Sequence, residues 1–342
     1  MYDVIREICN PMEQDQFNGL LRAAGIHRDP NLDYLCGVFD ADEELAAAAG
    51  CYQNTIRCLA VRQDLQGEGL LTQMMSHVLQ IQFLRGNRHV FLYTKPQTAY
   101  KMKLLGYGEI ARTGKVVFME NPPGGFQNFC EQMIPSQAEK VGAVVMNANP
   151  FTLGHRYLVE QAAKNCDALH VFILSQDTGP IPAAVRKQLV MEGLADLTNV
   201  IFHETGPYLI SSATFPSYFL PDCDSAIREQ AELDVTVFTA MARKLKIDCR
   251  YVGREPFSRV TGIYNSVMEN RLPEQGIAFL EIPRLSVNGK VISASAVRQA
   301  IQRDELTAVC DMLPESTYSF FSSARGKEIC EKIRAEKSVV HY

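Results

Sequence analysis

The stretch "NPFTLGHRYL" joins the apolar run "VGAVVMN" to the amphipathic run "GHRYLVEQAAKNC". A turn that opens a helix presents unpaired backbone N–H groups and the positive end of the helix dipole, which is the chemistry of a phosphate site. Pro150 stiffens this turn and Gly154 lets a ligand approach the backbone closely. Thr152 and His155 add a hydroxyl and an imidazole able to donate to phosphate oxygens, with Asn149 at the start of the same turn. The letters also describe an ordinary strand–turn–helix joint with a solvent-facing histidine, and local sequence alone divides evenly between the two.

A second helix start stands far downstream in "NGKVISASAVRQAI", where Ser293, Ser295 and Arg298 gather and Ser295 is the expected N-cap. Alone it reads as a plain capped helix. "AAVRKQLVMEGLA" puts Arg186 and Lys187 in the first turns of a helix, a pair that suits solvent as well as an anion. Ser211, Ser212 and Thr214 are the polar members of "YLISSATFPSYFL", lining a substrate pocket or edging a strand. In the first half, "VRQDLQGEGLLTQMM" turns from strand to helix through Gln66, Gly67 and Gly69.

Elements of two kinds must position these residues. Up to residue 121 the runs "LCGVFD", "ELAAAAGCYQ" and "TIRCLAVR" read as neighbouring strands. "GEGLLTQMMSHVLQIQFLRG" then has helical spacing. The strand "HVFLYT", the helix "TAYKMKLLGYG" and strands around "GKVVFME" follow. The Pro and Gly cluster of residues 122–137 interrupts any period and reads as a linker. Residues 138–342 then alternate apolar strands with amphipathic helices, which predicts a parallel sheet covered on both faces, with ligands beyond the carboxyl ends of its strands. The fold class is therefore α/β in both halves, a mixed sheet followed by a Rossmann-like parallel sheet.

Composition narrows the function. With 34 basic against 39 acidic side chains, the chain lacks the basic excess of a nucleic-acid binder. No apolar run is long enough to span a membrane and "MYDVIREICNP" is not a secretory leader, so a cytoplasmic protein is expected. The ten cysteines are scattered, without a CxxC pair or ligand spacing, and read as reduced core residues; no metal held by side chains is expected.

Taken together, TxGH after a first strand and ISxxxxR near the end resemble the signature of the nucleotidylyltransferase superfamily. "VGREPFSRVTGIYNSVM", "YLISSATFPSYFL" and "FLEIPRL" narrow the resemblance to the citrate lyase ligase family over most of Val141 to Ile301. That resemblance implies ATP, with Mg²⁺ held by the nucleotide, acetate as the acid that becomes acetyl-adenylate, and release of pyrophosphate. The acetyl group then passes to the thiol of the CoA-like prosthetic group on the citrate lyase acyl carrier subunit. It implies that His155 and Thr152 serve the α-phosphate as catalytic groups, and that Ser293, Ser295 and Arg298 hold the other phosphates. Asn149, Gly154 and the backbone at Gly253 would contact ATP, and Arg186 the acceptor or a phosphate. Residues 1–121 resemble GNAT acetyltransferases, whose pyrophosphate loop Gln66, Gly67 and Gly69 match, with Leu71 where that pattern has Gly or Ala. Two other readings stay open: an adenylyltransferase for a phosphorylated acceptor such as NMN or pantetheine phosphate, and an acetyl-CoA or nucleotide sensor.

Overall fold

A computed structural model describes residues 4–177, 179–209, 215–220, 222–255, 258–287 and 289–335. The chain divides into two compact units, Met1–Gln132 with Phe215–Thr236, and Met133–Thr214 with Val237–Tyr342.

The first unit runs β1 (Arg6–Glu7), α1 (Pro11–Ala23), β2 (Tyr34–Phe39), β3 (Leu45–Tyr52), β4 (Thr55–Val61), α2 (Leu70–Leu84), β5 (Val90–Thr94), α3 (Ala99–Leu104), β6 (Gly108–Arg112), β7 (Val117–Asn121) and α4 (Gly125–Glu131). Its mixed sheet has the order β1-β2-β3-β4-β5-β7-β6. The alanine run of β3 explains the two covered faces, because side chains alternate across a strand and small ones let helices approach from both sides. Ala47, Ala49 and Cys51 join Met74, Met75 and Val78 of α2, while Ala48 joins Phe17 and Leu21 of α1. β4 and β5 are parallel, in register at Thr55↔Phe91 and Ile56↔Leu92.

Two elements differ from the sequence reading. The expected linker contains α4, because its glycines start a helix: Gly124 is the N-cap with φ +89°, and Phe126 donates its N–H to the Glu120 carboxylate at 3.0 Å. The segment Phe215–Thr236 belongs to the first unit, although the sequence assigned it to the second half. Tyr218 is buried among Phe17, Leu21 and Cys58, its carbonyl accepts the His27 N–H at 2.7 Å, and the Phe215 ring meets Tyr93 edge-on. The amphipathic period of α7 (Cys223–Leu245) shows that one face is buried and says nothing of which core receives it.

The second unit runs β8 (Val141–Met146), α5 (Leu153–Ala163), β9 (Ala168–Ile173), α6 (Ala183–Gly193), β10 (Val200–Glu204), the end of α7, β11 (Cys249–Gly253), α8 (Arg259–Glu274) and β12 (Ala278–Ile282). A short hairpin, β13 (Ser286–Val287) and β14 (Lys290–Val291), leads into α9 (Ala294–Gln302), α10 (Glu315–Ser322) and α11 (Ala324–Ala335). All five main strands are parallel in the order β10-β9-β8-β11-β12. The chain builds outward from β8 on one side and then returns to build on the other, so the switch point lies between β8 and β11. Val144, Val159, Leu189, Val297 and Ile333 form one core, on β8, α5, α6, α9 and α11. Among the described residues no helix is long and apolar enough to cross a membrane, and Cys36, Cys51, Cys58, Cys166, Cys249 and Cys330 are buried free thiols.

β9 and β10 carry a histidine pair, His170 buried and His203 half-buried. His170 Nδ1 lies 2.7 Å from His203 Nε2, and Phe172 stacks on the His203 ring. Burial, and then the neighbouring ring, push the His170 imidazole down to about 4, and burial lowers His203. The folded state thus resists protons that the unfolded chain takes up below its ordinary histidine range near 6.5. Stability from this pair is complete above about pH 6.5 and falls as pH drops toward 4, for His170 by on the order of 3 kcal/mol. Urea unfolding of wild type and His170→Gln at pH 7 and pH 4.5 should show the stability gap between them shrinking, or reversing, at the lower pH.

Candidate active site

Beyond the carboxyl ends of β8, β11 and β12, the chain encloses a cavity of about 650 Å³ at the switch point. Its wall contains Asn149, Thr152, Gly154, His155, Gly253, Ser293, Ser295 and Arg298, eight of the residues singled out in the sequence. Three helices begin at it. Thr152 caps α5, Ser258 caps α8 by accepting the Thr261 N–H at 3.3 Å, and Ser293 caps α9 by accepting the Ala296 N–H at 3.1 Å. Three positive dipole ends therefore border one space, an arrangement suited to a polyanion. The α8 entrance was not singled out as such in the sequence, although Ser258 occupies an ordinary capping position.

Thr152 and His155 form a capping box. The Thr152 N–H donates to His155 Nδ1 at 3.1 Å, and the Thr152 hydroxyl lies 2.9 Å from the same nitrogen. An Nδ1 that accepts a backbone N–H is unprotonated, so the neutral ring carries its proton on Nε2. The ring stacks on Phe151, with centroids 5.9 Å apart. Burial, and then the nearby Arg284 charge, push His155 down to about 4, so it stays neutral at physiological pH. Thr152 was expected to donate to a phosphate. Its buried hydroxyl is instead engaged with His155, because N-capping requires it to face the first helical turn.

The downstream motif meets this turn directly. The buried Arg298 donates from Nη1 to the Asn149 carbonyl and from Nη2 to Ser295 Oγ at 3.3 Å. Ser295 was the expected N-cap. The cap is Ser293, which keeps extended backbone at φ −141°, whereas Ser295 is already inside the helix. Gly154, in the first turn of α5, packs beside Ile292 at the α9 entrance, where an added Cβ would sit at ordinary contact distance, 3.4 Å from the Ile292 carbonyl oxygen.

Arg186 is buried outside the cavity wall. Its guanidinium donates to the Asn147 carbonyl at 2.7 Å, to Asn147 Oδ1 at 2.6 Å and to the Gln176 carbonyl at 2.5 Å. It thereby fixes Asn147, which does line the cavity. Asn265 holds the Gly253 turn by donating to its carbonyl at 3.2 Å. Ser211, Ser212 and Thr214 lie outside the described residues.

Sequence reasoning missed the Glu255–Arg284 ion pair in the cavity wall, where Arg284 Nε also donates to the Arg254 carbonyl at 2.9 Å. The pair follows from strand register: β11 and β12 are parallel with Gly253 opposite Ile282, so residues two further along each chain come together.

In the first unit Gln66, Gly67 and Gly69 line a separate cleft of about 480 Å³, with Leu59 and Val61 of β4, Tyr93 of β5 and Lys101 of α3. Gly67 and Gly69 have φ of +99° and +84°, which L side chains adopt only with strain. Leu71 also lines this cleft.

Residues 141–321 match the family model described as the citrate lyase ligase C-terminal domain. The chain is 35% identical to the [citrate [pro-3S]-lyase] ligase of Escherichia coli (strain K12) over 291 residues, 82% of this chain and 83% of that protein. It is 33% identical to the enzyme of that name from Haemophilus influenzae over 309 residues, 88% of this chain and 92% of that one. An acetyltransferase of the GNAT family from Staphylococcus aureus is a similar solved structure at 12% identity, covering 34% of this chain and 98% of that chain with a TM-score of 0.31.

The capping box has a direct spectroscopic consequence. Nitrogen NMR of histidine-labelled protein should find His155 as the neutral Nε2–H tautomer from pH 5.5 to 8, without a titration near 6.5. Thr152→Val, which keeps the backbone donor and removes the hydroxyl, should leave the tautomer unchanged and weaken the N-cap by about 1 kcal/mol in thermal unfolding.

Proposed function

The chain belongs to the citrate lyase ligase family, and on that premise we propose that it uses ATP and acetate to acetylate the CoA-like thiol of the lyase's acyl carrier subunit. An acetate oxygen attacks the α-phosphorus of ATP, the new P–O bond forms as the bond to pyrophosphate breaks, and acetyl-adenylate results. The thiol then attacks the acetyl carbon, giving up its proton to solvent as the C–S bond forms and AMP departs.

The observation that carries this reading is the convergence of three helix entrances and a fixed neutral imidazole on one cavity. Acetate is already ionised at neutral pH, so the attack needs no general base. It needs donors for the charge that develops on the phosphoryl oxygens. His155 Nε2–H and the first N–H groups of α5 suit the α-phosphate, with Thr152 positioning the imidazole through Nδ1. Arg298 and the N–H groups at the start of α9, together with the α8 entrance, suit the departing pyrophosphate. Mg²⁺, carried by the nucleotide, would neutralise part of the phosphate charge. Gly253, whose added Cβ would meet nothing within 4 Å, leaves room for the nucleoside, and Arg186 acts by holding Asn147.

The first unit's cleft, with a helix entrance at Gly69 and Lys95 and Lys101 in its wall, suits the CoA-like arm of the carrier.

ATP–pyrophosphate exchange, with acetate, NMN or phosphopantetheine offered in turn, tests the assignment. Exchange should depend on acetate, and His155→Ala should lower it by about a hundredfold or more while leaving the thermal transition in place. Exchange seen only with a phosphorylated acceptor would replace this reading with an adenylyltransferase. ATP binding without exchange would replace it with a sensor.

A further inference from the structure

Asn149 carries a buried amide oxygen that meets no donor. The residue is 5% exposed and lines the cavity of the second unit. Its Oδ1 has no hydrogen-bond partner among the described residues. The residue itself is held, since its main-chain carbonyl accepts from Arg298. A buried acceptor left unpaired is unfavourable, so its position in a residue lining a ligand cavity points to a ligand that satisfies it.

The rest of the wall defines what that ligand group is. Three helix entrances, His155, Arg284 and Arg298 border the same cavity and suit phosphate oxygens. Phosphate oxygens satisfy donors, and they cannot satisfy another acceptor. Against the polyphosphate, an unpaired amide oxygen is met only by a bound cation or by water that the cation polarises. Glu255, the acidic residue in the wall, is ion-paired with Arg284. Among the described residues no group of three or more His, Cys, Asp or Glu could hold a metal. A divalent cation at this site must then arrive with the polyphosphate and keep most of its ligands from it. Mg²⁺ behaves in this way, taking hard oxygen ligands and retaining water.

We infer that Asn149 Oδ1 is the protein's own oxygen toward the Mg²⁺ carried by ATP, as a ligand or as the acceptor for one of its coordinated waters. This rests on the ATP reading of the cavity, and it distinguishes Asn149 from the residues that meet the phosphates as donors.

Calorimetry on the full chain, without acetate, separates the roles by titrating ATP with Mg²⁺ and ATP in EDTA. Wild type should bind MgATP more tightly than metal-free ATP. Asn149→Ala should weaken MgATP about tenfold or more and leave metal-free ATP unchanged. Asn149→Asp, which keeps an acceptor and adds a negative charge, should retain the MgATP affinity and weaken metal-free ATP. Equal weakening of both forms by Asn149→Ala would overturn the inference in favour of a contact to the nucleoside. Loss of MgATP binding in Asn149→Asp, with metal-free ATP bound as in wild type, would also overturn it. Wild type that binds neither form would remove the ATP reading itself and this inference with it. Circular dichroism melts of both variants establish that they are folded before titration.

Discussion

The hydrogen bond from Arg298 to the Asn149 carbonyl is the constraint on which the site depends. It links positions far apart in the chain, the turn after β8 and the second turn of α9, and it does so with a charge that is 4% exposed. A guanidinium removed from water is costly unless acceptors surround it. The Asn149 carbonyl and Ser295 Oγ supply part of that requirement, which ties the backbone of the turn after β8 to side chains of α9. This polar constraint sets the distance between two helix entrances.

The parallel sheet explains why helix entrances gather there. Every strand of a parallel sheet ends on the same side, and every following helix starts on that side. At the switch point between β8 and β11, the loops diverge and leave the cavity between them. Each entrance adds roughly half a positive charge without any basic side chain. This reconciles a chain with 39 acidic and 34 basic residues with a cavity bordered by positive helix ends. Net charge argues about long-range partners and says little about a field made by backbone dipoles over a few ångströms.

Much of this was legible in the sequence because it is periodic or local. Alternating apolar strands and amphipathic helices give the parallel sheet, and a helix start after its first strand gives the turn at the cavity. What was not legible depends on register or on tertiary choice. The Glu255–Arg284 pair follows from Gly253 facing Ile282, which no composition reveals. The N-cap of α9 passed from Ser295 to Ser293 because either serine suits the role, and only backbone torsion decides where the helix begins. Arg186 stands at the start of a helix as expected, yet its side chain turns inward to the carbonyls of Asn147 and Gln176. The first part of α7 packs in the first unit because aromatic residues preceding it, Phe215 and Tyr218, find that core. Local pattern gives an element its buried face and leaves the identity of the opposing surface open.

The state of His155 connects these constraints to chemistry. A protonated imidazole would be a stronger donor, but here it would stand near Arg284 in a poorly solvated wall, and both effects oppose the charge. The Thr152 N–H occupies Nδ1, so rotation of the ring or a change of tautomer would break the helix cap. The result is a neutral donor whose direction is fixed by the fold and whose protonation is constant over the physiological range. A group of this kind is poorly suited to moving protons and well suited to meeting negative charge as it develops. That is the demand made by a carboxylate attacking a phosphorus, since the nucleophile arrives ionised and the change to be stabilised is a redistribution of charge over oxygens.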